Sequence, residues 1–322
     1  MPPNTNLVFD METGDPDDVL TLILLLGHPW VNLKAVTITP GTPHQIAVVR
    51  EVLRLMETDI PVGAFNIDHM KARGQPDEHY VSCVSAWHWK FLGKLDPVRE
   101  AEVGSTVLYE NLGSDTQLVT GAPVKNLGDL IRRITPDIQH PDSFEADESF
   151  KINWVAQGGF AGEGVVAPEE QLGKFQGMTT CPTYNLNGDP KSALLALESE
   201  WVSARRFVSK NVCHGVVYDH FMHAQVEARI ETLPDSKQRR SLELLYAGMD
   251  RYLNKRPSGK AFHDPLAACC AINPYIGTWA DVELYREKGK WGARLGASTN
   301  STIITRYNHQ RFVDTLLAMG SR

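Results

Sequence analysis

NLVFDMETGDPDD, residues 6–18, joins an apolar segment to a cluster of acidic side chains. The run from Asn6 to Phe9 predicts a buried strand, and the run from Asp18 to Leu26 predicts an apolar helix. Between them, five carboxylates lie within nine residues, at Asp10, Glu12, Asp15, Asp17 and Asp18. Burying that much negative charge in one turn is costly unless a cation lies among the carboxylates.

A divalent cation accounts for this acidic turn best, because Ca²⁺ and Mg²⁺ prefer oxygen ligands. Helix capping is the alternative, but an acidic first turn explains one or two carboxylates and not five. The segment lacks the alternating ligands of an EF-hand and the Gly-rich run and Lys of a P-loop. It is also similar to the nucleophile motif of haloacid-dehalogenase-type phosphatases, which has Asp where this chain has Glu12.

Segments typical of strands and helices alternate along the rest of the chain. The predicted strands are Leu33–Thr39, Pro61–Phe65, Thr116–Thr120 and Ile152–Ala156, and the predicted helices are His44–Met56, Lys191–Leu197 and Pro265–Ala271. This alternation predicts an α/β fold with a Rossmann-like, mostly parallel central sheet flanked by helices. Ligands bind beyond the carboxyl ends of such strands. No shift in composition marks a linker, so we predict a single domain over residues 1–322.

Composition and charge exclude several classes of partner. The chain has 32 Lys and Arg against 39 Asp and Glu, a net charge of −7, so it lacks the positive field that nucleic acid requires. The longest apolar stretch, Val19 to Leu26, is too short to cross a bilayer, and no secretory signal is evident. Five cysteines without CxxC spacing argue against disulfides and zinc ribbons. We therefore expect a cytoplasmic protein that binds neither nucleic acid nor membrane.

Residues 10–18 resemble the N-terminal signature of the inosine/uridine-preferring nucleoside hydrolases, usually Asp-x-Asp-x-Gly-x-Asp-Asp. Four later segments are similar to further motifs of that family, in the same order. They are Leu118–Asn126, Val155–Gly159, Tyr184–Pro190 and Phe262–Ala267, the last containing the His-Asp-Pro signature. The likeness runs along the whole chain and implies a nucleoside-hydrolase-like fold.

The resemblance implies calcium-dependent hydrolysis of the N-glycosidic bond of a ribonucleoside or related N-riboside, releasing base and ribose. It makes Glu12 the general base and places His263 beside the leaving base. The implied metal ligands are Asp10, Glu12, Asp18, the backbone carbonyl of Gly121 (or of Thr120) and Asp264. Asp17 and Asn185 fall on ribose contacts, and the family suggests a homodimer or homotetramer.

Several departures from the family pattern indicate a divergent subgroup. Glu12 replaces Asp, and a residue is inserted before Asp17, so Asp15 is an alternative ribose contact. Thr183 stands where the family has a Glu near the ribose 5′-hydroxyl, and the loop Gly159–Asn185 is long. These features favour a different substrate, such as a modified nucleoside or a ribosylated cofactor fragment. The alternative from another class is a non-catalytic relative that binds ribose or metal.

Aromatic side chains hold bases by stacking, so Trp87 and Tyr184 are further candidate substrate contacts. For Trp87, the alternative is that it packs a helix between Ser82 and Leu92 onto the sheet. For His263, the alternative is a structural histidine.

Overall fold

A computed structural model of the chain describes residues 4–65, 82–136, 142–296 and 299–319. The stretch from Asn66 to Ser82, which the sequence predicts to be irregular because it is rich in polar residues, lies almost wholly outside the described residues. No helix among the described residues is both long and apolar enough to span a membrane.

Strands and helices alternate over most of these residues. The strands are β1 (Thr5–Met11), β2 (Val31–Ile38), β3 (Val62–Ala64), β4 (Glu102–Val103), β5 (Thr116–Thr120), β6 (Ile152–Gln157), β7 (Thr180–Cys181), β8 (Val202–Val208), β9 (Val217–Tyr218), β10 (Lys260–Ala261), β11 (Gly277–Glu287), β12 (Lys290–Leu295) and β13 (Ser301–Tyr307). The helices are α1 (Pro16–Gly27), α2 (Pro43–Leu55), α3 (Ala86–Leu92), α4 (Gly104–Asn111), α5 (Lys125–Ile134), α6 (Tyr184–Gly188), α7 (Pro190–Glu198), α8 (Lys210–Cys213), α9 (His220–Thr232), α10 (Lys237–Leu253), α11 (His263–Ile272) and α12 (His309–Leu316). Every predicted strand and helix overlaps an observed one.

One sheet of eleven strands runs through the described residues, in the order β4-β3-β2-β1-β5-β6-β8-β13-β11-β12-β7. Neighbouring strands from β4 to β13 pair in parallel. The last three strands, β11, β12 and β7, pair antiparallel at one edge. The predicted fold class, a mostly parallel sheet flanked by helices, is confirmed. The single domain over residues 1–322 stays a prediction.

Hydrophobic clusters cover both faces of the sheet. Leu7 and Phe9 of β1 pack into one cluster and Val8 packs into another, because successive side chains of a strand face opposite sides. Every residue of α1 is buried, and this helix packs against α10 and α11. Burial on both faces is what parallel strands require, and it holds the ends of the central strands in place.

Candidate functional site

The acidic turn lies at the carboxyl ends of the central strands. Asp10 pairs with Thr120 and Thr120 pairs with Ala156, so β1, β5 and β6 end side by side. The loops after these strands border a cavity of about 520 Å³, here called the central cavity. Eight of the predicted site residues line it: Glu12, Asp17, Asp18, Gly121, Tyr184, Asn185, His263 and Asp264. Its volume is in the range of small-molecule sites.

Three buried carboxylates form the acidic cluster of this cavity. Oxygen atoms of Asp17, Asp18 and Asp264 all lie within 4.8 Å of one another. Burial raises the pKa of Asp18 and of Asp264 well above the usual value, and the neighbouring negative charges raise both further. Asp264 Oδ1 is buried without a hydrogen-bond partner. An all-oxygen donor set with an unpaired carboxylate oxygen fits a hard divalent cation.

Glu12 borders this cluster from the end of β1. Its backbone N–H donates to Asp18 Oδ1 at 3.0 Å, which orients that carboxylate. The Gly14 N–H donates to the Glu12 side chain, but burial outweighs this bond and raises the pKa of Glu12 to about 7. The charges of Asp15 and Asp17 act in the same direction. A carboxyl group with a pKa near neutral is suited to accept a proton from water.

Gly121 allows the end of β5 to approach the cluster closely. A Cβ atom at this position would lie 2.7 Å from Asp264 Oδ1 and 3.2 Å from Asp18 Oδ1. The Gly121 N–H donates to the Asp10 carbonyl at 2.8 Å, which fixes the turn against β1. Glycine therefore fits at this position because there is no room for a Cβ atom.

Lys260 is a site residue that the sequence did not reveal, as are Lys210 and His214 in the lining of the central cavity. The side chain of Lys260 is 4% exposed, and its Nζ lies 2.9 Å from Asp17 Oδ1 and 3.0 Å from Asp15 Oδ2. Although burial opposes it, the charges of Asp17 and Asp15 hold the pKa of Lys260 above its usual value. Lys260 lies three residues before the His263-Asp264 pair, but this spacing does not indicate its partners Asp15 and Asp17. This lysine neutralises part of the acidic cluster.

Asp17 is held in one orientation by these contacts. Its Oδ2 accepts from the backbone N–H groups of His263 and Asp264, at 3.1 and 3.4 Å, while its Oδ1 faces Lys260. Asp15 keeps 52% of its side chain exposed and pairs only through Lys260 among the described contacts. Of these two carboxylates, Asp17 is therefore the one whose side chain has a fixed orientation.

Asp10 lies beneath the cavity and does not line it. Its Oδ1 accepts from Thr37 Oγ1 at 2.7 Å and from Asn126 Nδ2 at 2.8 Å, whereas Oδ2 is buried without a partner. Burial raises the pKa of Asp10 to about 7, against the effect of both hydrogen bonds. The structure thus places Asp10 as a support for the strand ends.

Two histidines form one side of the central cavity. The rings of His263 and His214 lie 4.5 Å apart, and Lys174 Nζ, from the long loop, lies 2.9 Å from His214 Nδ1. Burial lowers the pKa of His263 and lowers that of His214 to about 3, which favours the neutral form of both rings. Cys213 is close to both rings, and burial raises the pKa of its thiol to about 12.

Asn185 and Tyr184 complete the cavity from α6. Asn185 Nδ2 donates to the Gln157 carbonyl at 3.1 Å and to Gln157 Oε1 at 2.7 Å, which fixes its amide. The Tyr184 ring is 70% exposed at the mouth.

Trp87 is not among the residues of the central cavity. Its Nε1 donates to the Gly248 carbonyl at 3.0 Å, and its ring packs 5.0 Å from that of Phe91. It faces a neighbouring cavity that shares Gly14 and Asp15 with the central one. This geometry corresponds to the helix-packing alternative.

The chain has the fold of the nucleoside hydrolases. Its architecture is similar to that of a plant nucleoside hydrolase, with a TM-score of 0.64, 16% identity and 98% of each chain covered. It is similar to a purine-preferring ribonucleoside hydrolase from Gardnerella vaginalis (TM-score 0.65, 16% identity, 97% of this chain and 96% of that one). An inosine-guanosine nucleoside hydrolase gives a TM-score of 0.66, with 16% identity and 97% of each chain covered.

These likenesses confirm the predicted fold across nearly the whole chain. In sequence, no family model and no curated protein matches it. The chain is therefore a divergent relative in fold, and its chemistry has to be argued from its own residues.

Proposed function

We propose that this protein hydrolyses the N-glycosidic bond of a ribonucleoside or related N-riboside, with Ca²⁺, to give free base and ribose. The observation that carries this proposal is the buried cluster of Asp17, Asp18 and Asp264, with its unpartnered Asp264 oxygen, at the carboxyl end of a parallel sheet. Ligands of α/β proteins bind at this place.

Asp18 and Asp264 would hold the cation, together with Glu12 and a backbone carbonyl at Gly121. All are oxygen donors, and Ca²⁺ accepts six to eight of them in flexible arrangements. When bound, the cation lowers the pKa of water and orients the ribose hydroxyl groups. Asp10 supports the set from below through Thr37 and Asn126.

Glu12 is the general base in this proposal. It lines the cavity beside Asp18, and its raised pKa suits it to take a proton from the attacking water. The water oxygen then forms a bond to the anomeric carbon while the bond to the base nitrogen breaks. Cleavage of a glycosidic bond passes through an oxocarbenium-like state, and the surrounding carboxylates stabilise its positive charge.

Asp17 and Asn185 hold the sugar, and the histidines receive the base. Lys260 and two backbone N–H groups fix Asp17, and Gln157 fixes Asn185, so neither side chain has to be ordered by the substrate. His263 lines the same cavity, so its ring can orient the leaving base and donate a hydrogen bond to it.

Release of ribose from a panel of natural and modified ribosides tests the proposal. We expect calcium-supported turnover of at least one member, and a fall of about 10²-fold or more for Asp18→Asn. Asp235→Asn, which changes an exposed carboxylate between α9 and α10, is the matched control. Equal turnover by Asp18→Asn and wild type would contradict the assignment of the site.

A further inference from the structure

A second cavity continues the central one beyond Thr183. It has a volume of about 560 Å³ and is here called the side cavity. Glu12, Thr183, Tyr184 and Lys210 line both cavities, so the two form one continuous space. None of the roles proposed above uses the side cavity.

Two lysines give the side cavity a positive charge. Lys125, the first residue of α5, lies with its Nζ 5.5 Å from the centre of the Phe65 ring. Lys210 Nζ donates to the Pro182 carbonyl at 2.9 Å. Among the described residues, neither ammonium group forms an ion pair with a carboxylate. In the part of the chain that the structure describes, Glu12 is the one carboxylate that lines this cavity, and the Gly14 N–H donates a hydrogen bond to it from the acidic turn.

Thr183 provides an unpartnered hydroxyl between the two cavities. Its side chain is 3% exposed, and its Oγ1 has no hydrogen-bond partner. The residue caps α6, yet its side chain makes no capping bond. A buried hydroxyl without a partner among the described residues is able to donate to a ligand.

Ribose geometry assigns one substituent to each side of the acidic cluster. When the 2′- and 3′-hydroxyls face the carboxylates, the base on C1′ and the 5′-carbon on C4′ leave the ring on opposite flanks. His263 and His214 line only the central cavity, whereas Lys125 lines only the side cavity. Imidazole rings offer a flat face for a heterocyclic base. Lys210 lines both cavities, whereas Lys125, which forms no ion pair among the described residues, adds a positive charge to the side cavity alone. This arrangement assigns the base to the histidine side and the 5′ substituent to the side of Lys125.

We propose that the side cavity binds a phosphoryl group on the 5′-oxygen, so that the preferred substrates are 5′-phosphorylated N-ribosides. This inference rests on the proposed hydrolase function and names its substrate class. Lysine binds phosphate as a point charge, and Thr183 adds a neutral donor. Water adds to C1′, the C1′–N bond breaks with its electron pair going to the base, the base gains a proton, and the phosphoryl ester is unchanged. The products are the base and ribose 5-phosphate.

The test compares each ribonucleoside with its 5′-monophosphate, in calcium, by release of the base. We expect kcat/KM to be at least about tenfold higher for the monophosphate, the effect of one charge-assisted hydrogen bond. In Lys125→Met, the ratio of the two kcat/KM values falls towards one. Because it is a ratio within one variant, a loss of folded protein does not change it. Lys151→Met is the matched control, since Lys151 also lies over an aromatic ring, that of Trp201 at 5.4 Å, but lines neither cavity.

Failure of this inference is distinguishable from failure of the proposed function. If nucleosides are hydrolysed as fast as their monophosphates, or if Lys125→Met keeps the wild-type ratio, the phosphate site is wrong and the hydrolase stands. If neither series is hydrolysed, calorimetry with ribose 5-phosphate and with ribose decides. Tighter binding of ribose 5-phosphate that Lys125→Met abolishes supports the phosphate site without catalysis, and equal binding of the two sugars overturns it.

Discussion

Burial raises the pKa of individual carboxyl groups in this protein above their ordinary values. Asp10 shows this most simply, because among the described residues its side chain bonds only to the uncharged groups of Thr37 and Asn126. Its pKa is about 7 in the folded chain, against an ordinary value of 3.8. Between these values the folded state keeps a proton that the unfolded state has lost, so folding stability falls as pH rises.

We therefore expect Asp10→Asn to change the pH dependence of stability. In chelator, the free energy of unfolding of wild type minus that of the variant should fall by about 1.4 kcal/mol per pH unit between pH 5 and 6. Above pH of about 7 the carboxyl is ionised in both states, so the difference should become constant. Urea unfolding at several pH values measures it. A difference that does not vary with pH would show that Asp10 has an ordinary pKa.

Lys260 compensates the buried charge of Asp17. In metal-free protein, Lys260→Met should lower the free energy of unfolding by about 3 kcal/mol, because it leaves a buried carboxylate without its partner. Arg239→Met is the control, since Arg239 pairs with Glu243 at the surface, and we expect it to cost less than about 1 kcal/mol. Equal losses in the two variants, measured by urea unfolding, would contradict the role of Lys260.

Glu12 has two roles in the proposed function, as a ligand of the cation and as the general base. Glu12→Gln preserves the size of the side chain but removes the base, so kcat should fall by about 10²- to 10⁴-fold. Glu12→Asp restores a carboxylate one methylene shorter, and it should recover part of that loss. Steady-state kinetics on the best riboside measure both variants. If Glu12→Gln retained the wild-type kcat, the general base would have to be another group.

At the scale of elements, the site depends on how closely β5 approaches α11. Gly121→Ala would place a methyl group 2.7 Å from Asp264 Oδ1. We expect calcium affinity, measured by calorimetry, to fall about 10- to 100-fold, as when the surroundings of a metal ligand are disturbed. Gly113→Ala is the control, because its methyl group would meet no atom nearer than 3.7 Å. If the calcium affinity of Gly121→Ala were unchanged, the end of β5 would not be part of the metal site.

The strands and helices also show which parts of the fold and site can be predicted from the sequence. The strands β1, β5 and β6 are predictable because their apolar runs end abruptly in Gly or acidic residues. Lys260 was not predictable from local pattern, since its partners Asp15 and Asp17 lie about 240 residues away in the chain. Only the pairing of β10 with β9 and the packing of α11 bring it to the acidic turn.

The same limit applies to Trp87 and to the lysines of the side cavity. An aromatic residue beside a predicted loop is compatible with base stacking and with packing, and only the hydrogen bond to Gly248 favours packing. Lys125 lies within a segment similar to a family motif. That it lines the same cavity as Thr183 follows from the order of the strands in the sheet. Patterns of sequence predict which strand end carries a residue, whereas tertiary packing decides which side chains share a cavity.

At the scale of the whole molecule, one fold gathers distant acidic residues at the end of its central strands. The similarity to solved nucleoside hydrolases, at 16% identity and about 97% coverage, shows that the same fold forms although most side chains differ. The proposed reaction depends on the few positions that face the central cavity.

Calcium dependence of base release tests the central claim most directly. Chelator-treated protein is titrated with Ca²⁺ while release of the base from the best riboside or riboside 5′-phosphate is recorded. The proposed mechanism predicts no turnover in chelator and saturable recovery with Ca²⁺, reduced at every concentration in Asp264→Asn. Turnover that persists in chelator, or that Asp264→Asn leaves unchanged, would contradict a metal-dependent hydrolase at this site.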